Sequence, residues 1–201
     1  IHLSAFVRPE REIPGAAVGF MMAAVIAALQ TADSFDLQGA TPVIKWVNDV
    51  LVRDSKVGGV LARLQTQGPV TESAVVGIGL NIEQSPPVKR GAFVPRAAAL
   101  SDFTNPSEPS SHPDALPRLL KFLGSNLDTL EQGHFTKLLD LYRRHSMILG
   151  RRVIICEDSQ EGSSRVLARG RVESIGPSLE LFIEGLPDPV MKGRLRLEND
   201  A

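Results

Sequence analysis

From Ile13 to Ala32 the chain carries no charged residue, and its strongly apolar part, Ala16 to Leu29, is rich in alanine. A membrane span needs about 20 predominantly apolar residues, and Gly15 with Gly19 forms a small-xxx-small pair of the kind that lets helices approach closely. The apolar part is too short to span comfortably. The pattern therefore predicts a buried helix from about Gly15 to Thr31, its glycines permitting close packing on a sheet. Before it, His2 to Arg8 alternates as a strand, with Pro9 and Pro14 punctuating the way into the helix. After it come three β-branched runs, Val43 to Val52, Val57 to Leu64 and Ala74 to Ile82, separated by Arg53-Asp54-Ser55 and by Gly68-Pro69. Successive strands without intervening helices predict antiparallel pairing. Ser85 to Pro117 holds most of the prolines and many serines, which predicts a long surface loop with a short helical turn at Ala97 to Phe103.

The second half repeats the two periods in the opposite order. Leu116, Leu119, Leu120, Leu123, Leu127 and Leu130 fall at three- and four-residue spacings, an amphipathic helix with Asp114 as its cap. Phe135, Leu138, Leu139 and Tyr142 continue the pattern in a second helix, which ends by Gly150. Beyond it Arg152 to Cys156, Arg165 to Ser174, Leu179 to Glu184 and Val190 to Leu197 read as strands, with turns at Asp158 to Ser163, Gly176-Pro177 and Gly185 to Pro189. About fifty residues of short strands predict a small barrel.

Composition narrows the function classes. The 201 residues are 43% hydrophobic, enough for one good core, and a net charge of -1 excludes a global field toward nucleic acid or anionic lipid. No DNA-binding helix-turn-helix is legible, so neither nucleic acid nor membrane is expected as a partner. Cys156 is the single cysteine. That rules out an internal disulfide or a thiolate metal cluster and fits a reducing, cytoplasmic compartment. His2, His112, His134 and His145 share no close spacing, which argues against a histidine metal site or a catalytic triad.

Three segments carry candidate chemistry. Lys45-Trp46-Val47-Asn48-Asp49-Val50 places a cation, an aromatic, an amide and a carboxylate in a stretch otherwise built for burial. Such groups need partners. A hairpin turn in which Asn48-Asp49 only caps the backbone would satisfy them as well as a binding site would. Lys56-Val57-Gly58-Gly59-Val60-Leu61 sets two glycines in a strand behind a lysine, and strand glycines serve a bulge or the close approach of a ligand. In Val76-Gly77-Ile78-Gly79-Leu80-Asn81 glycines alternate along one face, leaving a groove that Asn81 closes. Gly77-x-Gly79 is a poor dinucleotide fingerprint, lacking the third glycine and the helix.

Together, in this order and at these distances, the segments resemble the biotin protein ligase family, whose pattern is Lys-Trp-Pro-Asn-Asp-Val, then Lys-x-(Ala/Gly)-Gly-(Ile/Val)-Leu, then Gly-x-Gly-x-Asn. His2 to Pro9 is similar to the family strand ending in Arg-Pro, Leu138 to Val153 to the helix leading into Leu-Gly-Arg-x-Val, and Arg194 to Leu197 to the terminal Ser-Leu-Arg. The resemblance implies an α+β fold: a mixed, largely antiparallel sheet flanked by helices, as in class II aminoacyl-tRNA synthetases, spanning residues 1–148, with an SH3-like barrel over 149–201. Val47 stands where the family has proline, a change that leaves the polar residues in place. The family's Gly-Arg-Gly-Arg-x-x-Arg-x-Trp loop, which folds over biotin and the adenylate, would precede Ile1.

The activity so implied joins biotin to AMP at the expense of ATP and transfers it to a lysine of a biotin carboxyl carrier domain. The resemblance makes Lys56 the catalytic cation between the biotin carboxylate and the α-phosphate, and Gly59, Gly77 and Gly79 the lining of the biotin slot. Lys45, Asn48, Asp49 and Asn81 are expected at ATP, with Asp49 also at Mg²⁺ shared with the phosphates. Trp46 is expected in the core rather than stacked on adenine. A homodimer is compatible with this reading. A lipoate or octanoate ligase of the same fold is the alternative enzyme, and a partial chain that only binds biotin or a protein is the alternative without catalysis. Val190-Met191-Lys192 is similar to the Met-Lys-Met turn of a biotin carrier, but Gly193 replaces the second methionine and the strand region is too short for such a domain.

Overall fold

The computed structural model describes residues 1–13, 15–67, 70–87, 96–105, 112–157 and 165–198. The turns expected at Gly68-Pro69 and Asp158 to Ser163, and much of the loop expected between Ser85 and Pro117, lie outside these residues.

The first sheet is built from β1 (His2–Val7), β2 (Val43–Lys45), β3 (Asp49–Val52), β4 (Ser55–Gln67) and β5 (Val70–Leu80), in the order β1-β5-β4-β3-β2 with every pair antiparallel. The two-residue β6 (Arg96–Ala97) adds a parallel contact to Ser55 and Lys56, which makes the sheet mixed. One expectation is corrected here. Val43 to Val52 is a hairpin and not one strand, because the polar centre Trp46 to Asn48 turns the chain back so that Val43 pairs with Leu51. The Trp46–Val47 peptide within the turn is cis.

The apolar run forms α1 (Ala16–Asp33), which lies against β3, β4 and β5 and is covered in turn by α2 (Ala115–Glu131) and α3 (Phe135–Arg144). By length and composition α1 could cross a membrane, but 72% of it is buried within the fold. A helix apolar on all sides is what a layer between sheet and helices requires. Its glycines serve a different neighbour from the one expected. A Cβ at Gly19 would meet Leu130 Cδ1 of α2 at 2.7 Å, and Gly15, at φ +68°, lies against Phe135 of α3. The close approach is thus helix to helix. Asn126 of α2 donates to Ala23 O at 3.1 Å and Gln30 Oε1 at 3.0 Å, satisfying a buried amide across that contact. Asp114 precedes α2, but its side chain makes no cap hydrogen bond, since a short 3₁₀ turn, His112–Asp114, leads directly into the helix.

The C-terminal strands are β7 (Arg152–Cys156), β8 (Val166–Ile175), β9 (Leu181–Ile183) and β10 (Arg194–Leu197), an antiparallel sheet in the order β10-β7-β8-β9. Among the described residues this sheet is not closed, with β10 and β9 as its two edges. Val190 bridges to Leu181, outside any longer strand. Side-chain hydrogen bonds fasten this sheet to the first half. The Trp46 indole N–H donates to Leu179 O at 2.7 Å, and Arg143 Nε donates to Ile175 O at 2.7 Å. Trp46 is therefore a buried core residue, 7% exposed, as expected.

Candidate functional site

Only one face of the first sheet is covered by α1. Along β5 the covered face carries Ala74, Val76, Ile78 and Leu80, all 2% exposed or less, while Val75, Gly77 and Gly79 point the other way. Antiparallel register continues that open face across the sheet, setting His2 and Ser4 beside Gly79 and Gly77 on one side, and Gly59 and Leu61 on the other. Since Gly77 and Gly79 have no side chains, the face is hollow there. A Cβ at either would meet nothing closer than a carbonyl oxygen at 3.8 Å.

Lys56 reaches the same hollow through a bulge. The β3–β4 register slips between Val50 and Leu51, so that Gly58 pairs with Val50 while Lys56 pairs with Leu51. Simple alternation would put Lys56 and Gly59 on opposite faces. The extra residue re-aims the lysine. A Cβ at Gly59 would lie 3.1 Å from Lys56 Nζ and 3.2 Å from Asp49 Oδ1, so glycine makes room for the charged pair. Gly58 is needed for another reason, because its Cβ would press on Gly79 O at 2.9 Å.

Lys56 Nζ and Asp49 Oδ1 are 2.6 Å apart and half-buried. A partly exposed pair of this kind contributes at most about 1 kcal/mol to stability, so its consequence is geometric. Asn48 behaves as the hairpin-turn reading expects, its amide donating to Val60 O while Val60 N–H donates back to Asn48 O at 3.0 Å. Asp49 does not, because its carboxylate meets Lys56. Asn81 Nδ2 donates to Ala98 O at 3.0 Å, and Ala98 N–H donates to Lys56 O at 2.9 Å, so the amide holds a strap across the Lys56 backbone. Tyr142 supports the turn from below, its hydroxyl donating to Val47 O at 2.9 Å. Burial, then Asp49, raises the pKa of that phenol and keeps it a donor.

Two cavities adjoin the pair. The first, about 550 Å³, runs over the hollow and is lined by Gly59, Gly77, Gly79 and Asn81 together with His2, Leu3 and Ser4. The second, about 450 Å³, lies between the hairpin turn and the C-terminal sheet and is lined by Lys45, Trp46 and residues 191–195. Asn48, Asp49 and Lys56 line both. The eight residues singled out by sequence thus come together, but in two compartments: Lys45 only in the second, Asn81 only in the first. The Lys45 ammonium has its pKa lowered, by burial first and by Lys56 and Arg194, against the opposing pull of Asp49.

Sequence reasoning missed His2 and Ser4, which the alternation of β1 and its pairing to β5 would have indicated. It also missed Lys192 and Arg194, for which no local signal exists. Among the described residues no group of three His, Cys, Asp or Glu side chains could hold a metal. A cation here would have Asp49 as its carboxylate and would need oxygens from a bound anion.

The sequence model of the biotin/lipoate A/B protein ligase family matches residues 3–81, the segment that holds the hollow, the bulge and both glycine motifs. A biotin–[acetyl-CoA-carboxylase] ligase of Paracoccus denitrificans is 26% identical over 187 residues, covering 85% of this chain and 76% of that protein. The crystal structure of biotin protein ligase from Aquifex aeolicus superposes with a TM-score of 0.72 at 18% identity, over 99% of this chain and 82% of that one. The same enzyme in complex with biotin and ATP gives a TM-score of 0.71 at 19% identity, over 99% of this chain and 78% of that one. Through residues 3–81 the chain is similar in sequence to the biotin/lipoate A/B protein ligase family, and over its length it has the fold of a biotin protein ligase.

Proposed function

We propose that the protein is a biotin protein ligase that activates biotin with ATP and transfers it to a lysine of a biotin carboxyl carrier domain. The observation that carries this reading is the placement of Lys56 and Asp49 on the wall shared by two cavities. The first cavity, apolar and floored by glycine backbone, suits a neutral, flat ureido ring that is held by backbone groups. The second suits the phosphates of ATP. Lys56 stands where the two substrates meet.

In the first step a biotin carboxylate oxygen attacks the α-phosphorus, the bond to the β-phosphate oxygen breaks, and pyrophosphate leaves. Bringing a carboxylate to a phosphate opposes two anions. The Lys56 ammonium offsets that repulsion and stabilises the charge that grows on the α-phosphate oxygens, an effect typically worth on the order of 10² to 10³ in rate. Asp49 orients the ammonium, and the Asn81–Ala98 strap holds its backbone. In the second step the carrier amine attacks the acyl carbon, AMP departs with the bonding pair, and the amine releases a proton.

Mg²⁺ fits this donor set only as an ion shared with the nucleotide, since Mg²⁺ is commonly held by one or two carboxylates and substrate phosphates. Asp49 would hold it, with Asn48 beside it, and the ion would neutralise charge on the phosphates. We assign Gly59, Gly77 and Gly79 to biotin and Lys45 and Asn48 to ATP. Asn81 we read as positioning the strap rather than meeting phosphate. We further take 1–148 as the ligase domain and 149–201 as an SH3-like barrel, a reading supported by the alternation of β8, in which Ala168 and Val172 are buried while Leu167, Arg169 and Arg171 are exposed.

The test is exchange of labelled pyrophosphate into ATP. Exchange should depend on biotin and not on lipoate. Exchange driven by lipoate alone would replace this reading with that of a lipoate ligase.

A further inference from the structure

Tyr142 is the only tyrosine of the chain, and it is fully buried. A phenol taken out of water needs a hydrogen-bond partner. Its hydroxyl donates to Val47 O at 2.9 Å, the carbonyl directly ahead of Asn48 and Asp49 in the turn between β2 and β3. The next residue of α3 reaches elsewhere: Arg143 Nε donates to Ile175 O at 2.7 Å, at the end of β8. Across the β8–β9 turn, Leu179 O accepts the Trp46 indole N–H at 2.7 Å. Helix, C-terminal sheet and hairpin turn are thus closed into a ring, and the phenol is the link between helix and turn. A carbonyl held in such a ring leaves its peptide little room to rotate.

Beyond that peptide the chain enters β3, where Asp49 pairs with Gly59 and its carboxylate stands 2.6 Å from Lys56 Nζ. The pair is partly exposed, so water competes for both charges and the ion pair alone does not fix its own geometry. The backbone must supply what the charges do not. Asn48 fastens the turn to Val60 from one side, and Tyr142 fastens it from below. The charge of Asp49 reaches the phenol and adds to burial in raising its pKa, so the hydroxyl stays a donor.

We infer that Tyr142, which lines neither cavity, is a positioning residue for adenylation: by fixing the peptide ahead of Asn48 and Asp49 it keeps the Lys56–Asp49 pair at the junction of the two cavities. This role rests on the proposed ligase reading.

The test removes the hydroxyl alone. In the full protein Tyr142→Phe keeps the buried ring, and biotin-dependent pyrophosphate exchange should lose about fivefold to tenfold in kcat, the scale of one hydrogen bond, with KM for biotin unchanged. In an Asp49→Ala background the same change should cost nothing further, because the pair through which the phenol acts is already gone. A purely structural tyrosine would lower kcat by the same factor in both backgrounds. Unchanged kcat in folded Tyr142→Phe protein, equal losses with and without Asp49, or a loss confined to KM would each overturn the inference. A second measurement needs neither turnover nor a change at Tyr142. Grown with 3-fluorotyrosine, the protein carries its label at this position alone. Lys56→Ala should shift the fluorine resonance, since freeing the Asp49 carboxylate relaxes the turn above the phenol. A resonance left in place by Lys56→Ala would contradict the inference, even where Tyr142→Phe fails to fold. A wild-type protein that exchanges with lipoate alone, or with neither acid, would remove the ligase reading, and the fluorine shift would then decide by itself whether Tyr142 positions the pair.

Discussion

The two faces of the first sheet are made by the same strands and do opposite things. On β5 the residues Val76, Ile78 and Leu80 are sealed under α1, while Gly77 and Gly79, interleaved with them, leave space for a ligand. Because successive strand residues point to opposite faces, one segment can supply core and cavity without either compromising the other. The rigid side then holds the hollow side in shape. The contrast teaches that glycine here has two meanings, close packing at Gly58 and open volume at Gly77 and Gly79, and that only the second hollows the open face.

The largest effect should come from the covered face. Leu80→Ala removes a side chain that is 1% exposed and lines neither cavity, and should cost about 2 to 5 kcal/mol in denaturant unfolding, as buried leucine truncations do. A loss below that range would mean that α1 seals the sheet less well than its burial indicates. On the open face, Lys56→Ala should lower biotin-dependent exchange by on the order of 10² to 10³ with an unchanged melting temperature. If exchange and stability fell together, the lysine would be structural. Gly58→Ala should destabilise by about 1 to 3 kcal/mol, since its Cβ presses on the backbone oxygen of Gly79. A neutral Gly58→Ala would erase the distinction between the two kinds of glycine.

The smallest effect is a pH dependence. The folded-state pKa of Lys45 lies below its ordinary value of 10.5. In the interval between the two values the unfolded chain binds more protons, so this lysine makes stability rise with pH there. Lys45→Met should flatten that rise when unfolding is measured across the alkaline range, and an unaltered slope would show that another group carries it.

Much of the fold was legible because periodicity reports burial directly. The strands on either side of Gly58-Gly59 and Gly77-x-Gly79, the three helices and the core position of Trp46 follow from spacing and side-chain type. What periodicity could not show was the direction of a close contact. Gly19 was read against the sheet and meets Leu130 instead, because a small residue signals only that something approaches. The polar centre of Val43 to Val52 allowed either a strand or a hairpin, and the pairing of Val43 with Leu51 decided it. The bulge that brings Lys56 to Gly59 depends on register, which strand propensity does not encode. That Lys192 and Arg194 line a cavity with Lys45 was not legible for a simpler reason: their nearness is made entirely by tertiary packing.

The central claim is that the glycine hollow on the open face holds biotin, and Gly79→Leu tests it most directly. A Cβ at this position has 3.8 Å to its nearest neighbour, so the leucine should fit without disturbing the fold and fill the first cavity. A melting temperature equal to that of the wild type and loss of measurable biotin binding by calorimetry are expected. Undiminished biotin affinity in a folded Gly79→Leu protein would contradict the claim.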